Sequence, residues 1–383
     1  MEDWRNGGFG LYLHWPFCQS KCPYCDFNSH VSANIDQGHW QDAYLQEIDR
    51  NGARTPGRIL NSVFFGGGTP SLMDPDIVGS IIDRIRRTWP TSNDIEITLE
   101  ANPGSVEAGR FRAYRDGGVN RISMGVQALN DADLKRLGRL HSAAEARAAF
   151  DIARATFDRV NFDLIYARQG QSLKAWKTEL GQAVTMAVDH LSLYQLTIES
   201  GTAFGDRLAA GKLRNLPDEC LGADMYDLTQ DICGVNGFDA YEVSNHAKPG
   251  ARSRHNMVYW TGGDYIGIGP GAHGRLTLNS QRHATEAPRN PNIWLKLVRT
   301  GGDAETCGSL SPGEQGMEYL MMGLRVSEGI DIGRYRALSG EDLPASKVNG
   351  LVSLGMIETD GKMLKTTRKG RLLLNAVISE LCV

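Results

Sequence analysis

The chain has 383 residues, 41 Lys and Arg against 45 Asp and Glu for a formal charge of −4, and 41% hydrophobic residues. A chain this long buries about three quarters of its unfolded surface and needs no disulfide staples. Near-neutral charge gives no electrostatic footprint for nucleic acid, and no apolar run reaches the roughly 20 residues of a membrane span, which disfavours a free-standing nucleic-acid binder and a membrane protein.

The opening Met1-Glu2-Asp3-Trp4-Arg5 lacks a basic region followed by an apolar stretch, so the expected location is the cytoplasm. Strand patterns fall at 10–15, 62–65, 95–100, 121–127, 160–166 and 190–197. Helical patterns fall between them at 39–50, 75–88, 106–115, 143–157 and 173–188, the second carrying Ile77, Ile81, Ile82 and Ile85 near helical spacing. This alternation predicts βα units around a parallel sheet. Distinctive residues at the strand ends favour a barrel with a site at its C-terminal mouth, and six units rather than eight leave it incomplete. The fold expected is α/β, a partial (β/α)6 TIM-like barrel.

From Phe238 the pattern turns glycine-rich and aromatic, fit to extend the sheet and cover its mouth. A polar, proline-bearing linker is expected over 279–292. In the tail, a helix near 314–324 is followed by the run Leu351-Val352-Ser353-Leu354-Gly355-Met356-Ile357, a turn at Asp360-Gly361-Lys362 and a helix from Thr367. That order suggests a winged-helix-like module. Without a basic excess, a protein-contact or lid role is favoured for it over DNA binding. The domains expected are 1–236, 237–290 and 291–383.

Three of the seven cysteines, Cys18, Cys22 and Cys25, crowd into one loop after the first strand, a spacing that reads as metal or redox chemistry in a reducing compartment. Three thiolates so spaced can hold three corners of an iron–sulfur cube and leave one iron open. Zinc with His30 or Asp26 as fourth ligand is the rival. Cys220, Cys233, Cys307 and Cys382 lack ligand spacing and read as packing residues. Gly66-Gly67-Gly68-Thr69-Pro70 follows the apolar run Val63-Phe64-Phe65, where consecutive glycines let the backbone approach a ligand. Glu100, Gln127 and Asp163 recur at strand ends. A lone strand carboxylate is ordinarily solvated or paired, but together these residues converge on one barrel mouth.

The stretch from Tyr12 through Cys18-x3-Cys22-Pro23-Tyr24-Cys25 to Phe27, with the GGGTP run, resembles the radical S-adenosylmethionine (SAM) superfamily, in its HemN/HemW branch. The resemblance implies a [4Fe-4S] cluster on Cys18, Cys22 and Cys25. It implies SAM contacts from Tyr12, Tyr24, Gly67, Gly68, Thr69, Glu100, Gln127, Arg139, Asp163, Thr197 and His273. Within the branch, the porphyrinogen oxidases continue to a fourth cysteine, where Phe27 stands here, and carry a longer N-terminal extension than the 17 residues before Cys18. His255-Asn256-Met257-Val258-Tyr259-Trp260 fits the HNxxYW motif associated with heme binding in the heme-chaperone members. An imidazole is a good axial ligand and aromatics pack on a macrocycle, so His255 is the candidate heme ligand with Asn256, Tyr259 and Trp260 beside it. His246 lies near enough in sequence to be an alternative. The function implied is heme binding and transfer to acceptor proteins, membrane-associated acceptors among them; oxidative decarboxylation of coproporphyrinogen III and a structural zinc loop are the alternatives.

Overall fold

Six parallel strands form the heart of the computed structural model, which describes residues 2–32, 34–105 and 108–382. They are β1 (Phe9–Trp15), β2 (Leu60–Gly67), β3 (Thr91–Ala101), β4 (Arg121–Gln127), β5 (Arg159–Tyr166) and β6 (His190–Gln195), hydrogen-bonded in that order. The helices α1 (Gln37–Arg54), α2 (Pro75–Thr88), α3 (Ala108–Asp116), α4 (Ala143–Thr156) and α5 (Leu173–Met186) connect successive strands. The expected α/β alternation of six parallel strands with connecting helices is therefore present. The helix expected over 106–115 is seen from Ala108, its first two positions lying outside the described residues. The strand expected over 190–197 ends at Gln195. β5 stops at Tyr166, so after Leu196 N–H donates to the Tyr166 carbonyl (2.9 Å) no edge remains for Thr197 to pair with.

Each strand alternates apolar and polar faces. Leu11, Leu13 and Trp15 of β1 pack outward under the helices, as do Ile81, Ile82 and Ile85 of α2 from the other side of that layer. Inward lie Ser62, Glu96, Thr98, Arg121, Ser123, Asn161, His190 and Ser192, all buried. Burying such groups is costly unless they are paired. Asn161 Nδ2 donates to Ser123 Oγ (2.9 Å), Arg121 Nη1 to Thr98 Oγ1 (3.3 Å), and Arg159 faces Glu96 at 3.5 Å. The barrel interior is thus a polar network.

Beyond β6, α6 (Glu219–Val235) leads to the short strands β7 (Asp239–Ala240) and β8 (Asn245–Ala247), the latter antiparallel to β6. The short helix α7 (Arg254–Trp260) then precedes β9 (Asp264–Ile268), which returns to pair parallel with β1 on its free edge. β10 (His273–Leu278), β11 (Gln281–Glu286) and β12 (Thr306–Ser309) continue antiparallel, making one 12-stranded sheet. The linker expected over 279–292 instead holds a hairpin turn and β11 in its first eight residues and the start of a helix in its last two. Asn279 and Ser280, both at positive φ (49° and 62°), form the two-residue turn that joins β10 to β11, a conformation that matches strand twist. Asn290 then caps α8 (Pro291–Arg299). Trp294 of α8 stacks on Trp40 of α1 with ring centroids 5.5 Å apart, fixing this extension to the barrel wall.

The tail opens with α9 (Pro312–Gly323), capped by Ser311. The run 351–357 divides: Leu351–Ser353 finish a helix (Ala345–Ser353), Gly355 turns the chain at φ +68°, and Ile357 begins a strand (Ile357–Thr359). That strand pairs with Met363–Thr366, which also pairs with Ile330–Asp331. The helices Arg368–Leu372 and Leu374–Leu381 close the chain. The tail has its own apolar core, including Leu320, Leu324, Ile330, Leu364 and Val377. Ion pairs tether it to the barrel: Arg334 to Asp3 (2.7 Å), Arg325 to Glu242 (2.6 Å) and Arg275 to Glu318 (2.6 Å). Among the described residues no helix is long and apolar enough to cross a membrane.

Candidate functional site

Cys18, Cys22 and Cys25 line a pocket of about 150 Å³ at the C-terminal ends of β2 to β5, with Tyr24, Gly67, Gly68, Thr69, Glu100, Gln127, Arg139 and Asp163 on its wall. The glycine run braces the cysteine loop. Gly68 N–H donates to the Trp15 carbonyl (2.7 Å) and Thr69 N–H to the Phe17 carbonyl (2.8 Å), while Thr69 Oγ1 lies 3.5 Å from Cys18 Sγ. A Cβ on Gly68 would sit 2.6 Å from the Phe17 carbonyl oxygen, and Gly67 adopts φ +110° with a built Cβ 2.8 Å from the Trp15 carbonyl. Each glycine is therefore required by close approach.

Charge in the pocket is arranged in opposing sets. Arg139 Nη1 lies 3.3 Å from Cys22 Sγ, and Nη2 donates to the Gly125 carbonyl (2.8 Å). Burial raises the thiols of Cys18 and Cys25 above their ordinary range. Burial, reinforced by the charge of Asp163, lifts Glu100 to about 8, and burial lifts Asp163 to about 6. Gly67 N–H donates to Glu100 Oε2 at 3.2 Å. Gln127 has φ +72° at an irregularity in the β4–β5 register, a backbone strain for a non-glycine residue that clusters at functional positions. Among the described residues, no three His, Cys, Asp or Glu side chains converge tightly enough to hold a single metal ion.

The donor set fits a cluster. Three sulfurs share one pocket, and the guanidinium of Arg139 is beside one of them to balance thiolate charge. Glu100 and Asp163 supply oxygen acceptors in the same space.

A second, larger cavity of about 660 Å³ adjoins the first, sharing Phe27, Gly67 and Glu100 with it. Its wall comes from β1, the cysteine loop, α7, the β9–β11 extension and α9, and includes Tyr12, Tyr259, Trp260, Tyr265 and Tyr319. A third space of about 170 Å³ lies in the barrel interior, lined by Tyr12, Phe64, Asp163, His255 and Asn256. Glu100 stands on the wall of all three.

The remaining expected residues distribute unevenly. His273 lines the large cavity and is absent from the wall of the cysteine pocket; Thr197 is exposed past the end of β6 and belongs to neither wall. Tyr24 packs near Phe204. His255 is 1% exposed, stacked on Phe64 at 5.0 Å, with Nδ1 hydrogen-bonded to Ser62 Oγ (2.9 Å) and Nε2 to Tyr259 Oη (2.6 Å). Burial pushes it down to about 3, which keeps it neutral. Tyr259 and Trp260 reach the large cavity, Trp260 beneath the Arg325 guanidinium at 4.9 Å. His246 is buried on β8, where strand alternation sets it opposite the inward-facing Asn245. The sequence reading did not find Arg275, Arg282, Arg289 and Met322 on the cavity wall. Arg282 and Arg289 lie in the segment expected as a linker, and the strand alternation of β11 is the signal that would have exposed Arg282.

Two family patterns match the chain: the radical SAM superfamily over residues 12–179 and the HemN C-terminal domain over residues 310–373. It is 37% identical over 373 residues to the heme chaperone HemW of Escherichia coli, covering 96% of each chain. It is also 37% identical over 385 residues to the mitochondrial radical S-adenosyl methionine domain-containing protein 1 of Mus musculus, covering 96% of this chain and 86% of that one. The coproporphyrinogen III oxidase HemN of Escherichia coli has the same fold, with a TM-score of 0.82 at 21% identity over 98% of this chain and 90% of that one.

Proposed function

Since the chain belongs to the radical SAM superfamily, in its HemN/HemW branch, we propose that it is a heme chaperone: it binds a [4Fe-4S] cluster, SAM and heme, and passes heme to acceptor proteins. The observation that carries this reading is the 660 Å³ cavity beside the cysteine pocket. Its aromatic wall suits a flat macrocycle, and Lys21 and Arg289 on the same wall suit propionates.

Cys18, Cys22 and Cys25 would hold the cluster, and Tyr24, Gly67, Gly68, Thr69, Glu100, Gln127, Arg139 and Asp163 would hold SAM. When bound, the cluster supplies one electron to the sulfonium of SAM. The chain's own residues bind and orient. Arg139 balances charge at Cys22, Gly67 and Thr69 fix the loop, and Glu100 and Asp163 offer carboxylates to a cationic ligand.

The test is direct. Anaerobically reconstituted protein should take up heme and release it to an apo-acceptor hemoprotein, followed by Soret absorbance. Given coproporphyrinogen III, SAM and reductant, it should form no protoporphyrinogen; SAM-dependent product would overturn the chaperone reading.

A further inference from the structure

We propose that His273 is the protein ligand to the heme iron, in the cavity between β10 and α9, with Met322 offered from the other wall. This deepens the heme-carrier reading and rests on it.

The chain has nine histidines, and a heme ligand needs a ring nitrogen free to face the cavity. His14 and His273 line it. His14 is committed on both sides, Nδ1 to Tyr12 Oη (2.9 Å) and Nε2 to the Asn28 carbonyl (2.9 Å). His255 is not on this wall, and its two nitrogens are held by Ser62 and Tyr259 as described. His30, His39 and His283 each have one ring nitrogen engaged locally, by Asn28 Oδ1, Asp36 and the Gln281 carbonyl, and none of the three is on the cavity wall. His141, His190 and His246 are buried away from the cavity. His273 is different in kind. Its side chain is 51% exposed, and its nearest ionic partner, Glu286 Oε1, is 3.9 Å away, beyond hydrogen-bond reach.

The surrounding geometry supplies the other wall. His273 and Arg275 are two apart on β10 and share its cavity face. Gln315, Glu318, Tyr319 and Met322 form one face of α9, also on the cavity. Arg275 reaches Glu318 with Nε and Nη2 at 2.6–3.0 Å, locking strand to helix. Imidazole and thioether are an established axial pair for heme iron. The tail helix would then be part of the heme site.

Ferric heme titrated into the full-length protein tests this. Wild-type protein should give a six-coordinate, low-spin Soret spectrum. His273→Ala should lose that spectrum and bind heme roughly tenfold or more weakly, while still reconstituting its cluster absorbance, which reports folding. In His273→Gly, added imidazole should restore the low-spin spectrum. Met322→Leu should keep heme but lower its reduction potential, since a thioether ligand raises it. An unchanged spectrum and affinity in His273→Ala would overturn the assignment, and an unchanged potential in Met322→Leu would remove Met322. Failure of the wild-type protein to bind heme at all would instead overturn the heme-carrier reading beneath it.

Discussion

The cysteine pocket and the large cavity share a wall, yet they are built in opposite ways. The pocket is assembled from strand ends and a loop that backbone hydrogen bonds hold in place, with glycines where nothing larger fits. The cavity is enclosed by segments far apart in the chain, from Asp3 to Leu338, and side-chain ion pairs close it. Backbone bracing gives a fixed geometry suited to a resident cofactor. Side-chain closure gives a wall that can open, suited to cargo that must leave.

The largest effect expected is from Cys22→Ser, which should abolish the iron–sulfur absorbance of reconstituted protein. Heme uptake in the neighbouring cavity should persist; simultaneous loss of both would collapse the distinction between the two sites. Gly68→Ala forces a Cβ to 2.6 Å from the Phe17 carbonyl oxygen, and overpacking of this kind costs about 1–3 kcal/mol. Denaturant unfolding should show it, together with impaired cluster incorporation.

A pH experiment sharpens the electrostatic side. With Glu100 raised to about 8 and Asp163 to about 6, both carboxyls are increasingly ionised as pH rises from 6 to 8. Affinity for the cationic SAM should climb over that window, by roughly tenfold for about 1.4 kcal/mol, and Glu100→Gln should flatten the climb. The same raised pKa carries a stability consequence: the contribution of Glu100 is full below the ordinary carboxylate range and is lost as pH rises through about 8. Thermal unfolding of Glu100→Gln should therefore depend less on pH than the wild type. The smallest effect is expected from Arg334→Ala, which cuts the tether to Asp3. Heme should dissociate faster by a few-fold, with the cluster spectrum intact.

Much of the pocket was legible in the chain. The cysteine spacing, the glycine run after β2 and the strand-end carboxylates are local patterns, and parallel strands bring such ends to one rim by construction. Thr197 was misplaced because the end of its strand was decided by where its neighbour β5 stops. The stretch 279–292 was misread because its polar residues look like a linker, although the positive-φ pair Asn279-Ser280 makes a hairpin turn.

By itself the sequence determined the six strand–helix units, the cysteine loop and the absence of a fourth cysteine at Phe27, since hydrophobic period and motif spacing act over short stretches of chain. Only the tertiary structure decided that His255 has both ring nitrogens engaged, that His273 belongs to a different cavity from the cysteines, and that the tail helix supplies a wall of it. Those outcomes depend on which side chains meet across hundreds of residues, and hydrogen bonding and packing between distant segments leave no period in the sequence.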